Sequence, residues 1–248
     1  MTNHTPRRNP LHVRPVYLVL LALAALFSFS IYHIGAIRSD LIAYRVRSQL
    51  EPQMTQKNFS WGSPVFIRIF KEEKTFELWM QNGSDYKLLA TYPVCSYSGK
   101  LGPKLSEGDR QAPEGFYAVS PGAMNTNSAF HLAFNIGFPN AYDRAHGRTG
   151  KFLMIHGGCV SAGCYAMTDE NIDVIFTLMQ AAFAAQQTEI PVHIFPFRLT
   201  GKNMALHGAS PWRKWWAELE PAYDAFETTH HVPKIAVKDG KYHLESVP

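Results

Sequence analysis

Residues 151–172 read KFLMIHGGCVSAGCYAMTDENI, and the rest of the chain can be arranged around them. The first five residues are apolar enough for a buried strand, and Thr168 opens a strongly helical run. Between them lies a glycine-bearing loop that begins at His156 and ends at Cys164. A loop braced by a strand and a helix is a common way to hold a nucleophile in the open. Cysteine and histidine suit each other there, because the thiolate is the reactive species and a nearby imidazole can take its proton. Cys164 is therefore the expected nucleophile and His156 the expected base, with the start of the following helix lowering the thiol pKa. Gly163 permits a tight turn, so that amide groups near Cys164 can form an oxyanion hole, with Gly157 as further loop support. Ser161 has two readings, orienting the imidazole or substrate, or stabilising the loop.

Upstream, SPVFIRIFK, TFELWMQ and YKLLATYPV read as strands, and Asn82-Gly83 is a strong hairpin signal between the last two. Residues 111–120 and 129–137 extend the β-rich section, while 100–113 reads as a loop over one end of a sheet. Downstream, Thr168 caps a helix with acidic residues in its first turn. Ile172, Ile175, Phe176, Met179 and Phe183 fall on one face of it as a core stripe. Residues 191–197 return as a strand. Ser210 and Pro211 suggest the N-cap and first position of a second helix, whose Trp212, Trp215, Trp216 and Leu219 either pack on the sheet or offer a glycan-stacking surface. Residues 233–244 read as a last hairpin about Asp239-Gly240. The fold class predicted is α+β, a mostly-β domain with two packed helices over residues 60–248.

The His-Gly pair followed by Ser-x-Gly-Cys resembles the signature of L,D-transpeptidase catalytic (YkuD-type) domains, which remodel bacterial peptidoglycan through a cysteine thioester. HGGCVSAGCYAMTDENI (156–172) and HLAFNIGFPNAYDRAHGRTG (131–150) are more similar to the YafK-like branch of that family. The resemblance runs from about residue 60 to the C-terminus and is most specific between 131 and 172. It implies a YkuD-like fold, peptidoglycan stem peptides as partners, and Cys164 and His156 as catalytic residues. Asn135 and Tyr142 match the YafK-like string and are carried as substrate-binding candidates, with a wall-attached protein or lipoprotein as a further partner. The chain departs from the wider family at Ala162, where many members have histidine, and at Ala166, where many have arginine. The missing arginine removes the usual carboxylate partner. Arg144 and Arg148, in the loop before the catalytic strand, are candidates to replace it or are simply solvated, with His146 between them.

The chain has 248 residues and a formal net charge of +4, enough for one substantial core. Arg7, Arg8 and Arg14 supply most of that charge before residue 16, and nothing after it forms the basic stripe of a nucleic-acid binder. Residues 16–37 hold no Asp, Glu, Lys or Arg and as a helix would span about 33 Å, against roughly 30 Å of hydrocarbon. They predict a retained transmembrane anchor in the inner membrane, or a signal peptide cleaved near Ser28 and Ser30. By the positive-inside rule residues 1–15 are cytoplasmic, 38–59 form a juxtamembrane stalk, and the catalytic part is periplasmic or otherwise extracytoplasmic.

Export bears on the three cysteines, of which at least one stays unpaired in a monomer. Cys159–Cys164 and Cys95–Cys159 are both conceivable disulfides, and only the second leaves Cys164 free. A zinc site from His146, His156, Cys159 and Cys164 lacks a usual ligand spacing, so no metal and no cofactor are expected. His131, His193, His207, His230 and His231 show no ligand spacing and read as structural or surface residues.

The function expected is an exported acyltransferase that forms a thioester with stem peptides and passes it to an amine. The same thioester passed to water would make it an amidase that cleaves cross-links or protein–peptidoglycan links. A papain-like protease is disfavoured because there the cysteine precedes the histidine by a long interval. A non-catalytic wall-binding module is a remote third reading.

Overall fold

The structure, a computed structural model, describes residues 15–246, apart from the side chains of residues 15, 25–32 and 246. The predicted strand-rich centre forms two five-stranded sheets. The first is ordered β3 (Asp85–Pro93), β2 (Thr75–Asn82), β1 (Val65–Phe70), β10 (Ile190–Phe195) and β5 (Gly115–Val119). The second is ordered β4 (Ser96–Tyr97), β9 (Tyr165–Ala166), β8 (Met154–His156), β7 (His131–Asn135) and β6 (Met124–Ser128). Parallel pairing occurs between β1 and β10 and between β8 and β9, and the other neighbours are antiparallel.

Strand β1 is buried along its whole length because both faces of its sheet are covered. Val65, Ile67 and Ile69 pack with Ile172, Phe176 and Met179 of α3 (Asp169–Ala184), which begins after Thr168 as expected. On the opposite face, Phe70 packs with Trp216 and Leu219 of α5 (Arg213–Thr229). This alternation is the period-two signature of a strand between two layers. Trp215 and Trp216 are buried. At about 1.5–3 kcal/mol per large side chain removed from water, packing outweighs any glycan-stacking role for them.

Helix α5 begins later than predicted. Ser210 and Pro211 lie in a turn in which the Trp212 N–H donates to Ser210 Oγ at 3.2 Å, and the helix starts at Arg213. Two short helices, α2 (Ala141–Ala145) and α4 (Gly201–Leu206), escape a periodicity reading because five or six residues contain no repeat. Each is marked by its cap, Asn140 and Thr200, whose side chains accept from the backbone three residues on. The last hairpin, β11 (Lys234–Lys238) and β12 (Lys241–Ser246), turns at Asp239-Gly240, both with positive φ as such a turn needs.

The N-terminal expectations fare differently. Residues 1–14, nearly all of the expected cytoplasmic tail, lie outside the described residues. Helix α1 (Pro15–Gln56) runs unbroken through Pro52. Among the described residues no helix is long and apolar enough to cross a membrane, so the transmembrane helix expected over 16–37 is not supported. Val16, Leu18, Leu20 and Leu23 at that end are more than half exposed. The stretch expected to be a stalk instead packs on the catalytic body. Ser39, Val46 and Met54 are buried, Ser39 Oγ lies 3.2 Å from Gln180 Nε2 of α3, and Arg45 pairs with Asp173.

Candidate active site

His156 is the last residue of β8, and its imidazole is buried. Nδ1 lies 2.7 Å from the carbonyl oxygen of Gly157. A carbonyl can only accept, so Nδ1 carries the proton and donates, which leaves the Nε2 lone pair to act as a base. The ring lies against Phe130, with centroids 4.9 Å apart. The turn behind it is tightly fastened. The Gly157 N–H donates to the carbonyls of Phe130 (3.1 Å) and Leu132 (3.2 Å), and the Gly158 N–H donates to Asp169 Oδ1 at 2.8 Å. A Cβ at Gly157 would stand 2.5 Å from Asp169 Oδ1 and 3.0 Å from His131 Cβ, so only glycine fits. With its amide committed to β7, Gly157 supports the loop rather than an oxyanion.

The support extends to α1 and α3. His131 Nε2 lies 2.5 Å from Asp173 Oδ1, and the other oxygen of that buried carboxylate pairs with Arg45 of α1. Arg38, also on α1, donates to the His131 carbonyl at 2.9 Å. His131 itself has φ of 66°, a conformation few non-glycine residues adopt without such ties. The neighbour it fixes, Phe130, is the residue that covers the His156 ring.

Cys164 immediately precedes β9, and the parallel register Ile155↔Tyr165 sets it beside Met154, diagonal to His156 across two hydrogen-bonded strands. The Met154 N–H donates to Sγ at 3.4 Å, and Sγ lies 4.0 Å from the Phe152 carbonyl. Among the described residues, no hydrogen bond joins the thiol to the imidazole. Burial pushes the thiol pKa up, opposed by the Met154 N–H and the Lys104 cation. This corrects the expectation of a thiol acidified by the helix start. Strand β9 separates Cys164 from α3, and the first turn of that helix is already served by Thr168, Asp169 and Glu170.

The loop before the cysteine is pinned by a Cys95–Cys159 disulfide, which resolves the two sequence alternatives and leaves Cys164 free. Ser161 Oγ donates to the Cys164 carbonyl at 2.7 Å and lies 3.1 Å from Ser98 Oγ, so it braces the loop and does not touch the imidazole. Gly163 has φ of 123° with open space where a Cβ would point, and that space adjoins the thiol.

A cavity of about 130 Å³ opens onto Cys164, with Lys104, Arg110 and Lys151 among its lining residues and Phe152 at its edge. Lys104 is buried and held by Asp109 Oδ1 at 2.5 Å. The loop that carries it is anchored by a buried pair, Lys71 Nζ and Glu114 Oε1 at 3.1 Å; Lys71 also donates to the Gly102 and Ala112 carbonyls. Lys104 is thus a paired structural cation like Arg148 below, whereas Arg110 and Lys151 are exposed on the cavity lining, together with the carboxylate of Glu107.

The arginines of residues 144–148 lie elsewhere. Arg148 is buried, bonds Asp143 Oδ1 at 2.8 Å and stacks over Tyr142 and Trp215. It is a structural cation, not one open to a substrate carboxylate. Arg144 donates to the Pro139 carbonyl. Tyr142 is buried, with its hydroxyl 3.0 Å from Glu218 and its ring stacked on His146 and Tyr242. Asn135, in contrast, lines a second cavity of about 500 Å³ that shares Phe152 with the first and also touches Met154.

Sequence reasoning missed Lys104, Phe130, the His131–Asp173–Arg45 chain and the Met154 amide. Only His131 carried a signal, its place at the head of the 131–150 string; the rest come together by long-range approach.

His156 thus ends β8, and the free Cys164 stands just before the neighbouring parallel strand β9. Residues 64–194 match the L,D-transpeptidase catalytic domain family, YkuD, and the chain belongs to that family. It is 45% identical over 224 residues to "Putative L,D-transpeptidase YafK" of Escherichia coli K12, covering 90% of this chain and 89% of that protein. Among solved structures, the K307A mutant of the helical cell shape determining protein Pgp2 from Campylobacter jejuni is 20% identical. It has a TM-score of 0.46 over 66% of this chain and 56% of that one. Mycobacterium tuberculosis L,D-transpeptidase 1 is 16% identical with a TM-score of 0.30, over 53% of this chain and 62% of that one. Likenesses this remote carry no argument about function.

Proposed function

We propose that the chain is an extracytoplasmic cysteine acyl-transfer enzyme acting on peptidoglycan stem peptides. The observation that carries this reading is the pairing of Cys95 with Cys159, which leaves Cys164 as the free thiol one strand away from a histidine whose Nδ1 is held by the Gly157 carbonyl. A disulfide in a chain of this size also favours an oxidising compartment outside the cytoplasm.

In the proposed reaction Sγ of Cys164 attacks the carbonyl between an L-centre and its neighbour in the stem. The thiol proton passes to His156 Nε2. Amide groups near Gly163 and Cys164 stabilise the oxyanion of the tetrahedral intermediate. The departing amine takes the proton back from His156, leaving a thioester on Cys164. A second amine, free or at the end of a wall-attached protein, then receives the acyl group and regenerates the thiol. The exposed Arg110 and Lys151 are suited to the carboxylates of the stem.

Water in place of the second amine makes the same site a hydrolase, and two observations favour that variant. Ala166 is buried and carries no charge, and Arg148 is turned away into its pair with Asp143. A cation lost from acceptor capture weakens the amine relative to water. Digestion of sacculi with the protein, with and without an added amine acceptor, separates the variants by mass spectrometry. New cross-links dominating under both conditions mean transfer, and released fragments dominating under both mean hydrolysis. Unchanged sacculi together with an unmodified thiol would overturn both.

A further inference from the structure

Strand β5 is the edge of the first sheet, bonded on one side only, to β10. Its outward-facing polar groups can be followed residue by residue. Phe116 turns its backbone to the free side, where Tyr242 Oη meets its N–H at 3.5 Å and Asn140 Nδ2 donates to its carbonyl at 2.7 Å. In an antiparallel pair the orientation repeats every second residue, so Ala118 faces the same way. The register agrees, because Ala118 stands opposite Pro191, which has no N–H to give. Ala118 is exposed, and among the described residues no side chain caps its N–H or carbonyl as Asn140 and Tyr242 cap those of Phe116. Gly137 passes so close that a Cβ there would sit 3.1 Å from the Ala118 oxygen, so a side chain at 137 would crowd it.

This uncapped stretch of edge shares a cavity with two neighbours of the thiol, Phe152 and Met154. The 500 Å³ cavity that holds Asn135, Phe152 and Met154 is lined on its other side by Ala118 and Ser120. Met154 is the residue whose amide holds the thiol. Beyond Ala118 and Gly137, which both cavities share, lies a larger one of about 790 Å³ walled by Asn140, Lys234 and Tyr242. The three cavities therefore adjoin in order from Cys164 to the C-terminal hairpin, meeting at Phe152 and then at Ala118 and Gly137.

We infer that the β5 edge at Ala118 is a peptide-binding subsite, where the substrate's peptide chain runs extended and adds as a short strand. The proposal rests on the reading of Cys164 as the acyl-transfer nucleophile and assigns where the chain beyond the reacting carbonyl lies. An extended peptide is the occupant because a lone exposed N–H and carbonyl on a sheet edge are complementary to another backbone. The cavity walls beside Ala118 carry no charged side chain and mix the polar Ser120, Asn125 and Asn135 with the apolar Ala123, Met124 and Met154, so they suit an amide chain and not a charged group. The carboxylates of the ligand are left to Arg110 and Lys151 on the cavity beside Cys164.

The test uses the full chain carrying Cys164→Ser and a synthetic dimer of stem peptides joined by an L,D-amide bond. Amide hydrogen exchange is read with and without a saturating concentration of dimer. Exchange at Ala118 is expected to slow at least about tenfold, together with slower exchange around residues 150–164. Slowing confined to 150–164 would overturn the β5 subsite and leave the acyl-transfer reading intact. No slowing at either place would overturn both. In the otherwise native chain, Ala118→Pro removes the N–H at an edge position that tolerates proline. It should raise KM for the dimer about three- to tenfold, with kcat within twofold, as the loss of one hydrogen bond implies. An unchanged KM in a variant of native melting temperature would overturn the subsite. If the variant melts early, the exchange measurement decides.

Discussion

The two halves of the candidate site are built to different standards. The His156 half is fastened on every side by Gly157 to β7, Gly158 to Asp169, Phe130 over the ring, and His131 tied through Asp173 to Arg45 on α1. The Cys164 half is a loop with a disulfide at one end, a serine brace in the middle and open space at Gly163. The difference fits the chemistry. A general base works through a fixed lone pair in a fixed direction, whereas a nucleophile that forms and loses a thioester needs room for the acyl group and its leaving partner.

Removing the base should do the most damage. His156→Ala is expected to slow acylation of Cys164 by 10²–10⁴-fold, the usual worth of general-base help, without unfolding the chain. Acylation rates followed by mass spectrometry check this, and a rate within threefold of native would show that the rigid half does no proton transfer. On the nucleophile side, the disulfide closes a long loop, with 64 residues of separation between its cysteines. Cys95→Ser with Cys159→Ser should cost about 4 kcal/mol by loop entropy. A loss below 1 kcal/mol in urea unfolding would mean that the loop is held mainly by Ser161 and its neighbours.

Smaller changes sharpen the comparison. Asp173→Asn weakens the ties to His131 and Arg45 and should destabilise the fold by about 1–3 kcal/mol. Because the lost ties support Phe130, it should also lower the acylation rate, and Asp173→Glu should restore part of it. Equal rates for native and Asp173→Asn at matched folded fraction would show that the α1–α3 ties serve stability alone. Lys104→Met removes a cation that lowers the Cys164 pKa while burial keeps raising it. The thiolate fraction at a given pH should fall, so the midpoint of the alkylation rate against pH should move upward. A midpoint moving downward would contradict the electrostatics assigned to that cavity.

How much of this was legible in the sequence follows from distance along the chain. His156 and Cys164 lie within one stretch, and strand, glycine loop and capped helix each carry a local signal, so the elements that carry them could be read directly. The hairpin at Asn82-Gly83 and the core stripe of α3 were legible for the same reason. The Arg45–Asp173 tie joins residues 128 positions apart and leaves no local mark. Lys104 arrives on a loop whose path depends on the buried Lys71–Glu114 pair. Arg148 misled because nearness in sequence to the catalytic strand is not nearness to the thiol. Asn140 and Asp143 form a capping box in which Asp143 also neutralises Arg148, and the Asn-x-x-Asp spacing was the available clue. The thiol pKa was misjudged because the two residues of β9 intervene before the helix, too short a strand to show in a pattern.

The central claim is that Cys164 is a nucleophile activated by His156. Its most direct test is incubation of the full chain with a carbapenem, an acylating β-lactam, followed by peptide mapping of the adduct. The account predicts one adduct, on Cys164, absent from Cys164→Ser and slow to form in His156→Ala. No adduct on the native chain, or an adduct that persists in Cys164→Ser, would contradict it.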